Sequence, residues 1–363
     1  MNLKSIDPRL LKRLEIILGI IIGITIIGVI LVIIFGGRAN YDVIENKMID
    51  AAKKYYSKNE EKLPEADNGV VSVSTTTLVN EKYLKSLDKL AKNKDAACSG
   101  DVTVTKTNGF FLYSANLNCG KYYETKKLKD VIMNDTEKAS NGSGLYQEGD
   151  NYIYKGDDPN NYVSFADKTW RILRVNSDGT IRMMELTRRD GVIWDDRYND
   201  DRQYASGIND FRISRIREYL EELYKNEKEF SNENKSYISN QNLCIGKRSD
   251  EDTVNDGSLE CSDVLENQPL GIMQLNEYMI PSLDKGCTSP SKQQCYNYNF
   301  LANVVTWTLN ADSANSYKVF KIANSAIATE ANRTSPVKLI VNINSQVNYN
   351  SGDGTLENPY TFK

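Results

Sequence analysis

The six cysteines are the residues whose type and spacing point most directly to chemistry. They are Cys98, Cys119, Cys244, Cys261, Cys287 and Cys295. None belongs to a Cys-x-x-Cys pair, the spacing typical of a redox or zinc motif. An even set of cysteines without such a pair is typical of disulfide bonding in an oxidising compartment. The cysteines are therefore predicted to be structural and not nucleophilic.

One pairing follows from a hairpin. Asn108-Gly109 is a strong signal for a two-residue turn, and it places Thr107 opposite Phe110. Counting outward in that register sets Cys98 opposite Cys119, close enough for a disulfide. The apolar residues of the hairpin then share one face: Val102, Val104, Phe111, Tyr113, Ala115 and Leu117. The simplest pairing of the other four cysteines joins each to its neighbour in sequence, Cys244 to Cys261 and Cys287 to Cys295, but three connectivities are open.

Few residue types suited to catalysis are available in this sequence. The chain contains no histidine, which excludes histidine-based triads, imidazole general bases and the usual zinc ligands. Carboxylates remain, but no spacing singles out a pair for glycoside hydrolysis. We therefore predict no catalytic residue, no cofactor and no metal site. An extracellular, carboxylate-dependent glycan-active enzyme is the less favoured alternative.

Acidic loops and aromatic residues are the remaining candidates for ligand contact. The acidic loops carry Asp157-Asp158, Asp195-Asp196 with Asp200-Asp201, and Asp250, Asp252 and Asp256. None has the ligand spacing of an EF-hand loop, so solvated loops are favoured over calcium sites. The segment CYNYNF and Trp194 offer aromatic side chains for a ligand surface, although aromatic residues are more often core. Trp170 and Trp307, both inside predicted strands, are expected in the core.

The elements that must position these residues begin with a membrane anchor. Ile16 to Phe35 is an unbroken apolar run, long enough for a helix of about 30 Å that spans a bilayer. We predict a cytoplasmic tail at 1–15, rich in Lys and Arg, a transmembrane helix at 16–37 and extracellular residues beyond. Signal-peptidase cleavage after Ala39 is the alternative, but the run is longer than a typical signal sequence. Gly19 and Gly23 would allow two such helices to associate into a homo-oligomer.

Two extracellular domains are expected after the anchor, giving an α+β protein. The first, 38–120, contains the helix YDVIENKMIDAAKKYY, a strand at 70–73, a helix at 77–87 and the hairpin. A polar linker follows at 121–148. The second domain, 149–363, contains strands, a hairpin turn at Asp178-Gly179 and the helix FRISRIREYLEELY, whose apolar face carries Ile213, Ile216, Leu220 and Leu223.

The layout of residues 9–120 resembles that of type IV pilins and pseudopilins, and especially the pilin-like modules on surface proteins of low-GC Gram-positive bacteria. The features that carry the likeness are Glu15 at the start of the apolar run, the amphipathic helix and the disulfide-closed hairpin. No glycine precedes a phenylalanine or methionine at the start of that run, so a prepilin-peptidase site is missing. The resemblance therefore implies a pilin-like stalk.

The distal domain resembles an uncharacterised extracellular domain of Firmicute surface proteins, associated with C-type-lectin-like and sulfatase-modifying-factor-like folds. The blocks that carry this likeness are Trp170-Arg171-Ile172-Leu173-Arg174, Ser214 to Leu220, Leu270-Gly271-Ile272-Met273 with Glu277-Tyr278, Trp307-Thr308-Leu309, Pro336-Val337, Gly352-Asp353-Gly354-Thr355 and Asn358-Pro359-Tyr360. The calcium-binding motifs of such lectins are not present.

Together these features indicate a single-pass cell-surface protein that displays an extracellular binding or adhesion domain for a protein or glycan ligand. A pseudopilin-like structural component of a secretion or uptake machine is the alternative. The net charge of −4 argues against nucleic acid as a partner.

Overall fold

The computed structural model describes residues 40–93 and 95–363, apart from the side chain of Asp135. The predicted cytoplasmic tail at 1–15, the predicted transmembrane helix at 16–37 and the pair Gly19 and Gly23 lie outside the described residues. Within the described ranges, no helix combines the length and the apolar character needed to cross a bilayer.

The described chain is a mixed α+β structure in which strands predominate. The helices are α1 Tyr41–Tyr56, α2 Thr75–Asn80, α3 Leu87–Ala91, α4 Leu128–Asp130 with a π-helical turn at Val131–Asp135, α5 Arg215–Lys225, α6 Asn232–Tyr237 and α7 Leu275–Met279. The strands of the first half are β1 Val70–Ser74, β2 Ser99–Thr107, β3 Phe110–Asn118, β4 Gly144–Glu148, β5 Asn151–Lys155, β6 Tyr162–Phe165, β7 Lys168–Val175, β8 Ile181–Glu185 and β9 Arg189–Ile193. The strands of the second half are β10 Ile238–Ser239, β11 Gln241–Cys244, β12 Val264–Gln268, β13 Gly271–Ile272, β14 Val305–Ala311, β15 Lys318–Ala323, β16 Ala326–Glu330, β17 Thr334–Val337, β18 Leu339–Ile343, β19 Tyr349–Ser351 and β20 Thr361–Phe362.

Helix α1 forms because a polar cap precedes an amphipathic sequence. The side chain of Asn40 accepts a hydrogen bond from the backbone N–H of Val43, which satisfies one of the free donors of the first turn. Ile44, Met48 and Tyr55 lie on one face and are buried against the hairpin. Burial of each such side chain stabilises the fold by about 2 kcal/mol.

The hairpin β2–β3 has the predicted register. Asn108 and Gly109 both have positive φ, as a type I′ turn requires, and Thr107 pairs with Phe110. Cys98 and Cys119 lie one residue beyond the outermost pair of the hairpin, Ser99 with Asn118, and form the predicted disulfide. Strand β1 adds to the edge of β2 and completes a three-stranded sheet.

The second face of this hairpin is also buried, which differs from the expectation of one apolar face. Thr105, Thr107 and Ser114 are almost inaccessible to water, and Leu112 on the same face joins the core of the distal part of the chain. Helix α6 packs against β3 on this side. The polar side chains are short enough to pack closely against the helix, so polarity did not predict exposure.

The predicted helix at 77–87 is divided in two. Lys82 adopts a left-handed backbone with φ of 65°, so α2 ends before it and α3 begins five residues later. The backbone N–H groups of Lys82 and Tyr83 bond back to the carbonyls of Val79 and Leu78, which caps α2.

The segment 121–148, predicted to be a polar linker, is largely packed structure. Leu128, Val131 and Ile132 are buried in the main core, and β4 at the end of the segment pairs with β5. These three apolar residues follow helical i, i+3, i+4 spacing, which the Ser- and Gly-rich stretch after them obscures.

An eight-stranded sheet organises the distal part. Its strand order is β10-β18-β8-β7-β5-β4, with β13 beside β18 and β6 beside β7. The pairings are antiparallel, and the predicted turn at Asp178-Gly179 joins β7 to β8. A three-stranded sheet, β14-β15-β16, completes the core together with the smaller pairs β9–β17, β11–β12 and β19–β20.

The predicted core tryptophans Trp170 and Trp307 are fully buried. Trp194, a sequence candidate for a ligand surface, is buried as well, and its indole N–H donates to the carbonyl of Thr308. In the predicted amphipathic helix, Ile216 and Leu220 are buried, but Ile213 is 47% exposed because it lies in a 3₁₀ turn before α5 begins.

Candidate functional site

All six cysteines form disulfides, in the pairs Cys98–Cys119, Cys244–Cys261 and Cys287–Cys295. The open connectivity of the four distal cysteines is thereby resolved in favour of sequence neighbours. Because every cysteine is bonded, none is available as a nucleophile.

The acidic loops do not converge. Within residues 40–93 and 95–363, no three acidic or cysteine side chains are grouped so that they could hold a metal ion. Asp195 is fully buried, and its carboxylate accepts hydrogen bonds from the backbone N–H groups of Arg197 and Ile208. Asp252 similarly accepts from the N–H of Ser249. These carboxylates therefore fold their own loops.

The block Gly352 to Thr355 is a tight turn between β19 and β20. The carboxylate of Asp353 accepts hydrogen bonds from the N–H and the hydroxyl of Thr355. Gly354 has φ of +82°, and a Cβ there would lie 2.6 Å from the carbonyl oxygen of Asn160. The glycine is required by the backbone, so this block explains the local fold and not a ligand site.

A polar cleft of about 530 Å³ is a candidate site, and we call it the amide cleft. Its lining comprises Glu148, Asn151, Ile153, Arg174, Asn176, Arg182, Gln241, Asn242, Cys244, Asn255, Asp256, Gly257, Cys261, Gln274, Asn276, Ile280 and Asn342. Eight of these residues carry side-chain amides and two carry guanidinium groups. Amides both donate and accept hydrogen bonds, whereas guanidinium groups only donate.

Three neighbouring strands supply one row of this lining. Arg182 on β8 pairs in register with Arg174 on β7 on one side and with Asn342 on β18 on the other. A β-bulge between Ile172 and Arg174 shifts the register of β7 just before this row. The bulge aligns the arginine with its neighbours on the cleft face.

The base of the row is a buried ion cluster around Glu277, in the first turn of α7. Arg182 is 2% exposed and donates to both carboxylate oxygens of Glu277 through Nε and Nη2. Its Nη1 donates to the side-chain oxygens of Gln241 and Asn342. Arg174 Nη1 adds a third donor to Glu277 at 3.1 Å. Burial acts to raise the pKa of Glu277, but the charges of Arg182 and Arg174 hold it below its usual value.

Arg174 is the member of the cluster that can donate a further hydrogen bond. Its Nε donates to Asn176 Oδ1 at 2.7 Å and its Nη1 to Glu277, while no acceptor among the described residues pairs with Nη2. The side chain is 23% exposed. Burial lowers the pKa of Arg174 to about 10, so the group stays positively charged at neutral pH. Arg174 thus offers a charged donor that its two neighbours hold in place.

Two acidic side chains, Glu148 and Asp256, also line the cleft. Glu148 pairs with Lys155, and its side chain is 48% exposed. A hydrogen bond from the Ser258 hydroxyl lowers the pKa of Asp256, which keeps this carboxylate ionised at neutral pH. The amide and guanidinium groups of the lining can recognise a polar ligand through hydrogen bonds.

The exposed aromatic residues lie elsewhere. Tyr296 and Tyr298 of the CYNYNF segment are 37% and 62% exposed, and Tyr298 has a left-handed backbone with φ of 48°. Tyr198 and Tyr204 are also exposed. None of them lines the amide cleft.

Sequence reasoning did not identify the amide cleft, although two of its parts lie in blocks that carried the distal resemblance. Arg174 ends the block that begins at Trp170, and Glu277 follows the block at Leu270. A charged residue that follows apolar neighbours within a predicted element, as Arg174 follows Ile172 and Leu173, is a signal of a buried ion pair. The fact that Arg174 and Glu277 pair with each other can be known only from the fold, since the two residues are distant in sequence.

The chain matches no protein-family model, no curated protein and no solved structure.

Proposed function

We propose that the protein is a single-pass cell-surface protein whose extracellular part binds a polar glycan in the amide cleft. The observation that carries the proposal is Nη2 of Arg174, which has no acceptor among the described residues and lies beside eight amide side chains. Sugar hydroxyls both donate and accept hydrogen bonds, so an amide-rich wall with one fixed cationic donor complements them.

The setting of the cleft supports binding in preference to catalysis. Rigid supports surround it: the Cys244–Cys261 disulfide lies in its wall, and a buried ion cluster fixes its arginines. Preorganised polar groups bind with a smaller entropy cost than mobile ones. We therefore propose a non-enzymatic recognition site.

Location at the cell surface rests on two features of the chain. Three disulfides are stable in an oxidising compartment, and the apolar run from Ile16 to Phe35 has the length and composition of a membrane anchor. We propose that 1–15 is cytoplasmic and that residues after the anchor are extracellular.

We also propose that residues 38–120 are a pilin-like stalk module. The order of a long amphipathic helix, a three-stranded antiparallel sheet and a disulfide-closed hairpin supports this likeness. A C-type-lectin-like distal fold stays a proposal that rests on the sequence blocks alone.

The test is a glycan array probed with the oxidised fragment 40–363, followed by titration of the best ligand. Arg174→Gln should raise the dissociation constant of that ligand about tenfold or more, because a hydrogen bond from a charged group contributes about 1.5–3 kcal/mol. Arg188→Gln is the matched control, since Arg188 is an exposed arginine outside the cleft, paired with Asp190.

Equal affinity of the two variants would place the binding site elsewhere. Turnover of a glycan that is lost in Glu148→Gln or Asp256→Asn would show an enzyme instead. The melting temperature of Arg174→Gln should be checked, although Arg182 still pairs with both oxygens of Glu277 in that variant.

A further inference from the structure

Two groups in the wall of the amide cleft lack a hydrogen-bond partner, and they are of opposite kinds. Arg174 Nη2 is a donor for which the described residues supply no acceptor. Asn276 Oδ1 is a buried acceptor, and no donor reaches it in the part of the chain that the structure describes. Both residues line the cleft. Because a buried amide oxygen without a donor is unfavourable, Asn276 favours a ligand that brings an N–H or O–H group.

The other buried amide side chains of the lining already bond within the fold. Gln241 and Asn342 accept hydrogen bonds from Arg182. The side chain of Gln274 accepts from a backbone N–H in the first turn of α7, as the cap of that helix. Asn276 is 7% exposed. Among the buried amides of this lining, the oxygen of Asn276 is therefore the one that a ligand can pair with.

The fold places Arg174 and Asn276 on neighbouring parts of the wall. Arg174 Nη1 donates to Glu277, the residue that follows Asn276 in α7. Each of the two is flanked by an isoleucine that also lines the cleft. Ile153 on β5 is the register partner of Arg174, so their side chains share a face of the sheet. Ile280 follows Asn276 by one helical turn, and its N–H bonds to the Asn276 carbonyl.

This set of groups is complementary to an acetamido group, which carries an acceptor oxygen, an N–H donor and a methyl group. The oxygen can accept from Arg174, the N–H can donate to Asn276, and the methyl group can contact Ile153 and Ile280. A sugar hydroxyl can pair with one of the two polar groups, but it leaves the isoleucines without an apolar partner.

An anionic ligand group fits this wall less well. A carboxylate would accept from Arg174, but it brings no donor to Asn276 Oδ1. The same lining also holds the carboxylates of Glu148 and Asp256, which repel a negative charge. The acetamido group is neutral and avoids this repulsion.

We propose that the amide cleft recognises an N-acetylated amino sugar through its acetamido group. This inference rests on the proposed glycan function of the same cleft and names the class of sugar. The volume of the cleft, about 530 Å³, lies within the range typical of small-molecule sites.

Matched ligands test the inference on the oxidised full-length protein, kept in a detergent that has no sugar headgroup. The probes are the methyl glycosides of N-acetylglucosamine and N-acetylgalactosamine, with counterparts in which an O-acetyl ester or a hydroxyl replaces the acetamido group. The ester keeps the carbonyl and the methyl group but has no N–H. In an NMR titration, we expect at least one acetamido sugar to bind about tenfold more tightly than its ester, because only the acetamido N–H gives Asn276 a donor.

A variant locates the source of this preference. Asn276→Ala removes the acceptor, so the acetamido sugar and its ester should bind equally well. Asn255→Ala is the matched control, since Asn255 is an exposed amide of the same lining, and it should retain the preference. The preference of the wild-type protein is measured without any variant, so the test stands even if Asn276→Ala does not fold.

The outcomes separate this inference from the function on which it rests. Equal binding of the acetamido, ester and hydroxyl sugars, lost in Arg174→Gln, would overturn the acetamido inference and leave glycan binding in place. A preference that persists in folded Asn276→Ala would overturn it as well. Absence of binding by these sugars and by every glycan of the array would overturn both proposals.

Discussion

Removing the charge of Glu260 should destabilise the fold and loosen one wall of the amide cleft. Arg248 and Glu260 are both fully buried, and Arg248 Nη1 donates to Glu260 Oε1 at 2.6 Å. Arg248 Nη2 also bonds to the carbonyls of Asp252 and Val254, and Glu260 Oε1 accepts from the N–H of Asn276. The pair therefore connects the loop 248–262 to α7.

The size of the effect follows from burial. Glu260→Gln leaves the Arg248 charge buried without its counter-ion, and breaking a buried pair in this way costs about 3–5 kcal/mol. Glu218→Gln provides the control, because Glu218 pairs with Arg215 while both side chains are 51% exposed. An exposed pair of this kind is screened by solvent and contributes little to stability.

Urea denaturation of oxidised 40–363, monitored by circular dichroism, measures both free energies of unfolding. We expect a large loss of stability for Glu260→Gln and little change for Glu218→Gln. Equal stability of the two variants would show that the buried pair is solvated or dispensable, and would refute the inference that it holds the cleft wall.

Three further predictions concern the rest of the fold. Cys98→Ser should lower the free energy of unfolding by about 2–4 kcal/mol, since the disulfide closes a loop with a sequence separation of 21; an unchanged denaturation midpoint would contradict this. The fragment 145–363 should be less stable than 40–363, because it lacks the buried side chains of 128–132, and identical melting temperatures would show a separable domain. Hydrogen bonds from Arg189 and Lys168 lower the pKa of Glu229 to about 2, so the ionised Glu229 stabilises the fold fully above the ordinary glutamate pKa, and this stabilisation is lost as pH falls towards 2. In Glu229→Gln the free energy of unfolding should therefore fall less steeply with decreasing pH. An unchanged pH dependence between about pH 5 and pH 2 would argue against this linkage.

Local signals predicted the hairpin, because its turn alone determines the register. Asn108-Gly109 fixes which residues face one another, so Cys98 and Cys119 could be paired without knowledge of the rest of the fold. The burial of the second face could not be predicted in this way. It depends on α6, whose position is set by the distal sheet.

The amide cleft could not be predicted because its residues are distant in sequence. Arg174, Arg182 and Asn342 come from three strands, and only the sheet order β7-β8-β18 brings them into one row. A bulge before Arg174 also breaks the simple alternation of faces along β7. Neither the strand order nor the bulge has a distinct signal in a single sequence.

Hydrogen–deuterium exchange of oxidised 40–363, with and without the best ligand from the glycan array, tests most directly whether the amide cleft is the binding site. We expect slower exchange in the segments that line the cleft, 241–244, 255–261 and 274–276, and no change in the exposed segment 198–204. Protection confined to 198–204 or to the exposed tyrosines at 296–298, with the cleft segments unchanged, would contradict the account.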